Sequence, residues 1–227
     1  MAKQTYFVTG TDTEVGKTVI ACGLLQAANL QGLTTVGLKP IAAGCEYSDS
    51  GWRNDDALAL QRAASIKLSY EQINPLALRD AVAPHIAAQR QQMQLSAPTL
   101  SQHCRQVLSQ HEFDLAVIEG AGGWLVPLNT SETLADVAVD MRLDVILVVG
   151  IKLGCINHAL LTAAAIENSG LKLAGWIANC REQNTFARDD NIRSLSERLS
   201  APCLGVVPHL PDLVSAPEYL NLSLLLK

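Results

Sequence analysis

The stretch Tyr6-Phe-Val-Thr-Gly10-Thr-Asp-Thr-Glu-Val-Gly16-Lys17-Thr18 decides how the rest of the chain is read. Its first four residues are aromatic or β-branched and read as a short buried strand. A glycine follows at once. Residues 18–30 then show helical spacing and strong helix formers, among them Leu24, Leu25, Ala27 and Ala28. A strand, a glycine turn and a helix opening on Gly16-Lys17-Thr18 is the layout that phosphate binding needs. Backbone N–H groups and the helix N-terminus cradle the anion. The lysine is a point charge for the β/γ-phosphates, and the threonine hydroxyl suits Mg²⁺. A bare Gly-Lys-Ser/Thr triplet arises by chance in roughly one chain in ten of this length, so the flanking strand and helix carry the reading. The spacing is unusual: five residues, not four, separate Gly10 from Gly16. A dinucleotide turn fits worse, because residues 10–15 do not supply Gly-x-Gly-x-x-Gly.

Working outward, residues 35–39, 114–119, 143–149, 171–178 and 203–207 read as further strands. Residues 55–64, 100–110, 158–168 and 190–199 read as helices, and the 80s and 90s carry weaker helical signals. Gly32 suits the end of the first helix. Residues 42–54, with Gly, Ser, Asp and Asn, read as a loop. Several strands are unbroken apolar runs, as strands buried on both faces are. The expected fold is α/β: a mostly parallel sheet with helices on both faces, resembling the phosphate-loop NTPases, in a single domain spanning residues 1–227. Ligands in such sheets bind beyond the carboxyl ends of the strands. The candidate site segments are therefore 10–18, 39–56, 119–123, 150–157 and 179–181.

Composition bounds the function. The chain has 227 residues, 48% hydrophobic and 17% charged, with a formal net charge of −5. That is too apolar for a disordered chain. It is also too acidic for a protein that grips a phosphate backbone, so no nucleic-acid partner is expected. No apolar run reaches membrane-span length, and no membrane partner is expected. Six cysteines, at 22, 45, 104, 155, 180 and 203, form no CxxC pair. They suggest neither a zinc site nor a disulfide framework, and point to a reduced, cytoplasmic chain.

Four side chains outside the loop stand out. Glu119 ends a strand and precedes Gly120-Ala-Gly-Gly123, so its carboxylate would sit at the sheet edge facing the phosphate loop. It reads as a Mg²⁺ ligand or as an ordinary strand-end acid. Asp55 and Asp56 open a helix, where each reads as a cap or, for Asp56, as a second carboxylate for Mg²⁺. Lys39 ends the second strand before Pro40. It is either solvated or a second cation beside Lys17, and two lysines at one site suit phosphoryl transfer to an anionic acceptor. The histidines show no metal-ligand spacing.

Together these segments resemble the dethiobiotin synthetase family over nearly the whole chain. The likeness rests on residues 10–18, Lys39-Pro-Ile-Ala-Ala-Gly44, Arg53-Asn-Asp-Asp-Ala-Leu58, Pro84-His-Ile86, Glu119-Gly-Ala-Gly-Gly-Trp124, Lys152-Leu-Gly-Cys-Ile-Asn-His158 and Gly175-Trp-Ile-Ala-Asn179. The family's phosphate loop has the same five-residue spacing. The resemblance implies an ATP-dependent cyclo-ligase that makes dethiobiotin from 7,8-diaminopelargonic acid and CO₂ or bicarbonate, through a carbamate and a carbamic–phosphoric anhydride. It implies ATP on Glu14, Val15, Gly16, Lys17, Thr18 and Val19, with Asp56, Glu119, Gly120, Ala121 and Gly122 beside it. Asn179 would read the adenine, flanked by Pro208, His209 and Leu210. Thr18, Asp56 and Glu119 would hold Mg²⁺. Lys39, Lys17, Thr13 and Glu14 would act on the reacting groups, with Thr13, Lys39 and Ala43 against the substrate. Gly154, Cys155 and Asn157 would hold its carboxylate tail across a homodimer interface. One departure is Ala43, where the family often carries a hydroxyl.

Two rival readings fare worse. A glutamine-dependent amidoligase would need a glutaminase domain, and no cysteine here has a nucleophile-elbow context. A partition or positioning ATPase that acts through partners would carry an extra lysine early in the loop, where this chain has Gly10-Thr-Asp-Thr13.

Overall fold

Unbroken apolar runs need cover on both faces, and the computed structural model supplies it. It describes residues 3–183, 186–210 and 216–226. The chain begins with β1 (Gln4–Gly10), α1 (Lys17–Leu30), β2 (Thr35–Leu38), β3 (Ile41–Ala43), β4 (Glu46–Ser48), β5 (Gly51–Arg53), α2 (Asp55–Ala63), α3 (Tyr70–Ile73) and β6 (Leu76–Leu78). It continues with α4 (Pro84–Arg90), α5 (Ala97–Ser109), β7 (Leu115–Glu119), α6 (Ala135–Met141), β8 (Asp144–Gly150), α7 (Cys155–Asn168), β9 (Leu173–Asn179), α8 (Arg188–Arg198) and β10 (Cys203–Val207). Two 3₁₀ turns, Ala216–Tyr219 and Leu222–Leu224, follow.

Six strands form one sheet in the order β10-β9-β8-β1-β7-β2. Every neighbouring pair is parallel. Strands that follow β1 lie on both sides of it, so the connections diverge there and open a crevice at its carboxyl end. Alternation along β1 feeds two cores. Phe7 joins Leu38, Ile118 and Leu147 on one face, beneath α5, α6, α7 and α8. Tyr6 and Val8 join Leu115, Val117 and Ile146 on the other, beneath α1 and α2. The expected α/β architecture is thus the observed one.

Packing holds α1 in place. Ile20, Leu24 and Leu25 are fully buried, and each such side chain contributes about 1.5–3 kcal/mol relative to exposure. Its N-cap, Gly16, offers no side-chain bond. Packing therefore fixes the helix while its first N–H groups stay open to a ligand. At the other end Gly32 takes φ 80, and the Leu33 N–H bonds the Ala28 carbonyl, as a left-handed helix stop requires.

Three expectations need correction. Residues 42–54 are not a plain loop: β3 pairs with β6 in parallel, and β4 with β5 as a hairpin. These strands have three residues each, too few for a legible alternation. Helix α6 was not expected, and α7 starts at Cys155, three residues before the expected 158. In both segments β-branched residues dilute the helical pattern.

Candidate active site

The phosphate loop owes its path to small residues and one plug. A Cβ on Gly10 would lie 2.5 Å from Val15 Cγ2. Val15 is buried between Gly10 and Gly150. Glu14 (φ 58) and Gly16 (φ 87) both take left-handed backbone to turn the chain into α1. Asn179, at the end of β9, donates from Nδ2 to the Val15 carbonyl at 2.8 Å and holds the loop from below. The Arg181 guanidinium donates to the Glu14 carbonyl. Asp12 accepts from the Thr13 N–H at 2.7 Å and pairs with Lys152 at 3.3 Å. Those two contacts, the N–H first, keep its carboxyl below the usual range.

Two cations and two carboxylates meet beside the loop. Lys39 Nζ lies 2.6 Å from Glu119 Oε1 and 3.1 Å from Asp56 Oδ2, and donates to the Gly120 carbonyl at 2.9 Å. The Thr18 hydroxyl donates to Glu119 Oε1 at 2.9 Å. Lys17 Nζ donates to the Asp12 carbonyl at 3.0 Å. The ends of β1, β2 and β7 bring these groups together. Asp56 arrives from the first turn of α2, whose N-cap is Asn54 and not an aspartate: Asn54 Oδ1 accepts from the Asp56 and Ala57 N–H groups. Capping by Asn54 leaves the Asp56 carboxylate free for Lys39.

Burial and charge set the protonation. Lys17 is buried, and desolvation, aided by the Lys39 charge, lowers its pKa to about 8. Burial works against the Lys39 charge too, but Glu119 and Asp56 outweigh it and hold its pKa above the ordinary value. Burial raises the Glu119 pKa despite Lys39. One ammonium serves two carboxylates, and Glu119 Oε2 is buried without a hydrogen-bond partner. That orphaned oxygen, the Thr18 hydroxyl and Asp56 are hard donors of the kind Mg²⁺ takes beside phosphates and water. Burial pushes the Cys22 thiol to about 12 and Cys45 to about 11, which makes both unreactive.

An open cleft of about 1190 Å³ runs over this cluster. Of the expected residues it is lined by Thr13, Glu14, Gly16, Lys17, Thr18, Val19, Lys39, Ala43, Asp56, Glu119, Ala121 and Gly122. Gly120 lies just beneath, its carbonyl on Lys39. Val15 and Asn179 support the loop from inside. His209 is exposed and its Nδ1 donates to the Arg181 carbonyl; Pro208 and Leu210 beside it are half-buried, and none of the three lines the cleft. Gly154, Cys155 and Asn157 stand apart at the start of α7, Gly154 and Asn157 exposed and Cys155 buried. Residue-level reading missed Arg62, Val82 and Arg181, which also line the cleft. Asn54 was legible in principle as a cap residue ahead of an acidic first turn.

The fold and this cluster define a phosphate-loop nucleotide-binding protein. A family model described as an AAA domain matches residues 4–217. The ATP-dependent dethiobiotin synthetase BioD of Cellvibrio japonicus (strain Ueda107) is 57% identical over 92% of this chain and 91% of its own. The enzyme of that name from Pseudomonas aeruginosa (strain UCBPP-PA14) is 52% identical over 96% of each chain. The one from Marinobacter nauticus is 48% identical over the full length of both. The chain belongs to the ATP-dependent dethiobiotin synthetase family of ligases. Among solved structures, the MinD cell division protein of Aquifex aeolicus superposes with a TM-score of 0.56 at 14% identity, covering 97% of this chain and 89% of that one. A ParA family ATPase from Chlorobium tepidum TLS gives 0.55 at 14%, covering 95% and 90%. At that identity the likeness concerns fold alone.

Proposed function

We propose that the chain is a dethiobiotin synthetase that closes the ureido ring from 7,8-diaminopelargonic acid, CO₂ and MgATP, releasing ADP and phosphate. The observation that carries this reading is the meeting of Lys17, Lys39, Asp56 and Glu119 in one cleft above a phosphate loop. One substrate amine adds to CO₂ and loses a proton, giving a carbamate. A carbamate oxygen attacks the γ-phosphorus, the bond to the β-phosphate oxygen breaks, and ADP leaves. The second amine then attacks the carbamoyl carbon, loses a proton, expels phosphate and closes the five-membered urea.

The open amides at the start of α1, together with Lys17, bind the phosphates and follow the charge that moves between them. Lys39 stabilises the carbamate, an anion that must approach an anionic nucleotide. Thr13 and Glu14 lie on the loop where the carbamate and γ-phosphate meet. Ala43 lines the wall beside Lys39 with a methyl group, so it contributes contact and no hydrogen bond. Thr18, Asp56 and Glu119 would hold Mg²⁺, which when bound neutralises phosphate charge. Asn179, whose Nδ2 is engaged by the loop, and residues 208–210 form the adenine side.

The segment Gly154–Asn157 contributes from a second copy, so the working unit is a homodimer. The whole chain acts as one ATP-binding domain in the cytoplasm. Among the described residues no helix is long and apolar enough to cross a membrane. Incubation with diaminopelargonate, bicarbonate and MgATP tests the reading: dethiobiotin should form in step with ADP, and ADP without the cyclic urea would overturn it.

A further inference from the structure

Helix α3 lies outside the cleft, yet it holds two groups of the cleft in register. The Lys39 N–H donates to the Ile73 carbonyl at 2.9 Å, and Asn74 Nδ2 donates to the Lys39 carbonyl at 2.7 Å. Lys39 sits one residue past the end of β2, where the sheet no longer bonds it. The end of α3 takes over both of its backbone groups. From there a line of hydrogen bonds continues. Tyr70 Oη donates to Asn74 Oδ1 at 2.9 Å, and the Asn54 N–H donates to Tyr70 Oη at 2.7 Å. Asn54 Oδ1 then accepts from the Asp56 N–H at 3.1 Å. The Lys39–Asp56 ion pair closes the circuit at 3.1 Å.

Tyr70 and Asn74 are both buried. The Arg53 guanidinium covers the Tyr70 ring at 4.1 Å, and Ser69 and Gln72 lock the start of α3 as a reciprocal capping box. A four-residue helix does not hold itself together. These ties and its packing fix it. Polar side chains with every bond satisfied in the interior specify geometry strongly, because each alternative leaves a buried group unpaired.

We propose that Tyr70 and Asn74 are positioning residues: they fix the distance between Lys39 and the Asp56-bearing start of α2, and so set the cleft for transfer. The inference rests on the proposed function for its kinetic arm only. Tyr70→Phe removes the one oxygen that joins Asn54 to Asn74 and keeps the ring under Arg53. Turnover should fall about 10- to 100-fold, as displacements of the order of an ångström do, while KM for ATP stays within about twofold. Asn74→Leu should act the same way and more strongly.

Amide hydrogen exchange supplies a readout that needs no reaction. The Lys39 N–H should lose protection in both variants, while amides in β8 and β9 keep theirs. Leu195→Ala is the control for simple loosening, since Leu195 is a buried core residue on α8, away from α3 and the circuit. At equal loss of Tm it should leave turnover within about threefold of the parent and the Lys39 amide protected. Unchanged Lys39 protection in Tyr70→Phe would overturn the proposal. So would a loss of turnover no larger than that of Leu195→Ala. If the parent chain forms no cyclic urea, the proposed function fails, and the exchange result alone still decides the positioning role.

Discussion

At the scale of single residues, the two lysines of the cleft occupy opposite thermodynamic positions. Lys17 is buried with another cation as neighbour, and its pKa falls to about 8. Holding it charged at neutral pH therefore costs the folded state on the order of 3 kcal/mol. Lys17→Met should raise Tm by at least about 3 °C and abolish nucleotide binding, a trade of stability for function. Calorimetry and ATP titration check both halves. The sign follows from proton counting. Between about 8 and the ordinary lysine value the unfolded chain holds a proton that the folded one has released. Stability due to Lys17 thus rises with pH in that window, and Lys17→Met should remove the rise. Lys39 is different, because its charge compensates a fully buried Glu119. Lys39→Met strands that carboxylate and should destabilise the fold by about 3 kcal/mol or more, as read by denaturant unfolding. Turnover should also fall by a factor that corresponds to roughly 3 kcal/mol of transition-state stabilisation. Equal Tm shifts for the two variants would contradict this contrast. The sequence made both lysines candidates by position. It did not show that their sites shift them in opposite directions, because burial and the choice of neighbour are properties of the assembled site.

At the scale of elements, the junction of β1 and α1 carries the loop, and its constraint is steric. Gly16 has φ 87, and a Cβ there would collide with Asn179 Nδ2, which is itself tied to the loop. Gly32 has φ 80 with open space around it. Gly32→Ala should cost only the left-handed backbone penalty, about 1–2 kcal/mol, and Gly16→Ala clearly more. Gly16→Ala combined with Asn179→Ala should recover part of the difference, which equilibrium unfolding of the four chains measures. The strand–glycine–helix pattern at residues 6–18 was legible because every local signal agrees there. The long central strands were legible from apolar continuity. The β3–β6 pair, the β4–β5 hairpin and the clamp at α3 were not. Their strands and helix span three or four residues, below the length at which a period shows, and the β3–β6 pair and the α3 clamp are held by contacts distant in sequence. Asn54 therefore passed as a loop residue and Tyr70 fell in no expected element, although Asn54 caps α2 and both lie on the circuit to Asp56.

At the scale of the whole molecule, one copy of the chain divides the residues expected to hold substrate. Thr13, Lys39 and Ala43 line the cleft, while Gly154–Asn157 begin α7 away from it. Leu153, next to that segment, is 98% exposed, and Leu161 on the same helix is 62% exposed. Large apolar side chains left so bare on and beside one helix suit burial against another chain. A two-fold dimer would bring the start of α7 of one copy to the cleft of the other and cover these leucines together. Leu161→Arg should then shift the chain to a monomer in sedimentation and lower specific activity at dilute protein. The stricter test is complementation. Asn157→Asp places a negative charge where the substrate carboxylate is expected, and Lys39→Ala removes the cation of the cleft. Each homodimer should be nearly inactive. Refolding the two together at equal amounts yields mixed dimers in which one of two sites draws Lys39 from one copy and Asn157 from the other. Random pairing then restores about one quarter of parental activity. A site confined to one copy would restore none, since no single chain in the mixture would carry both residues.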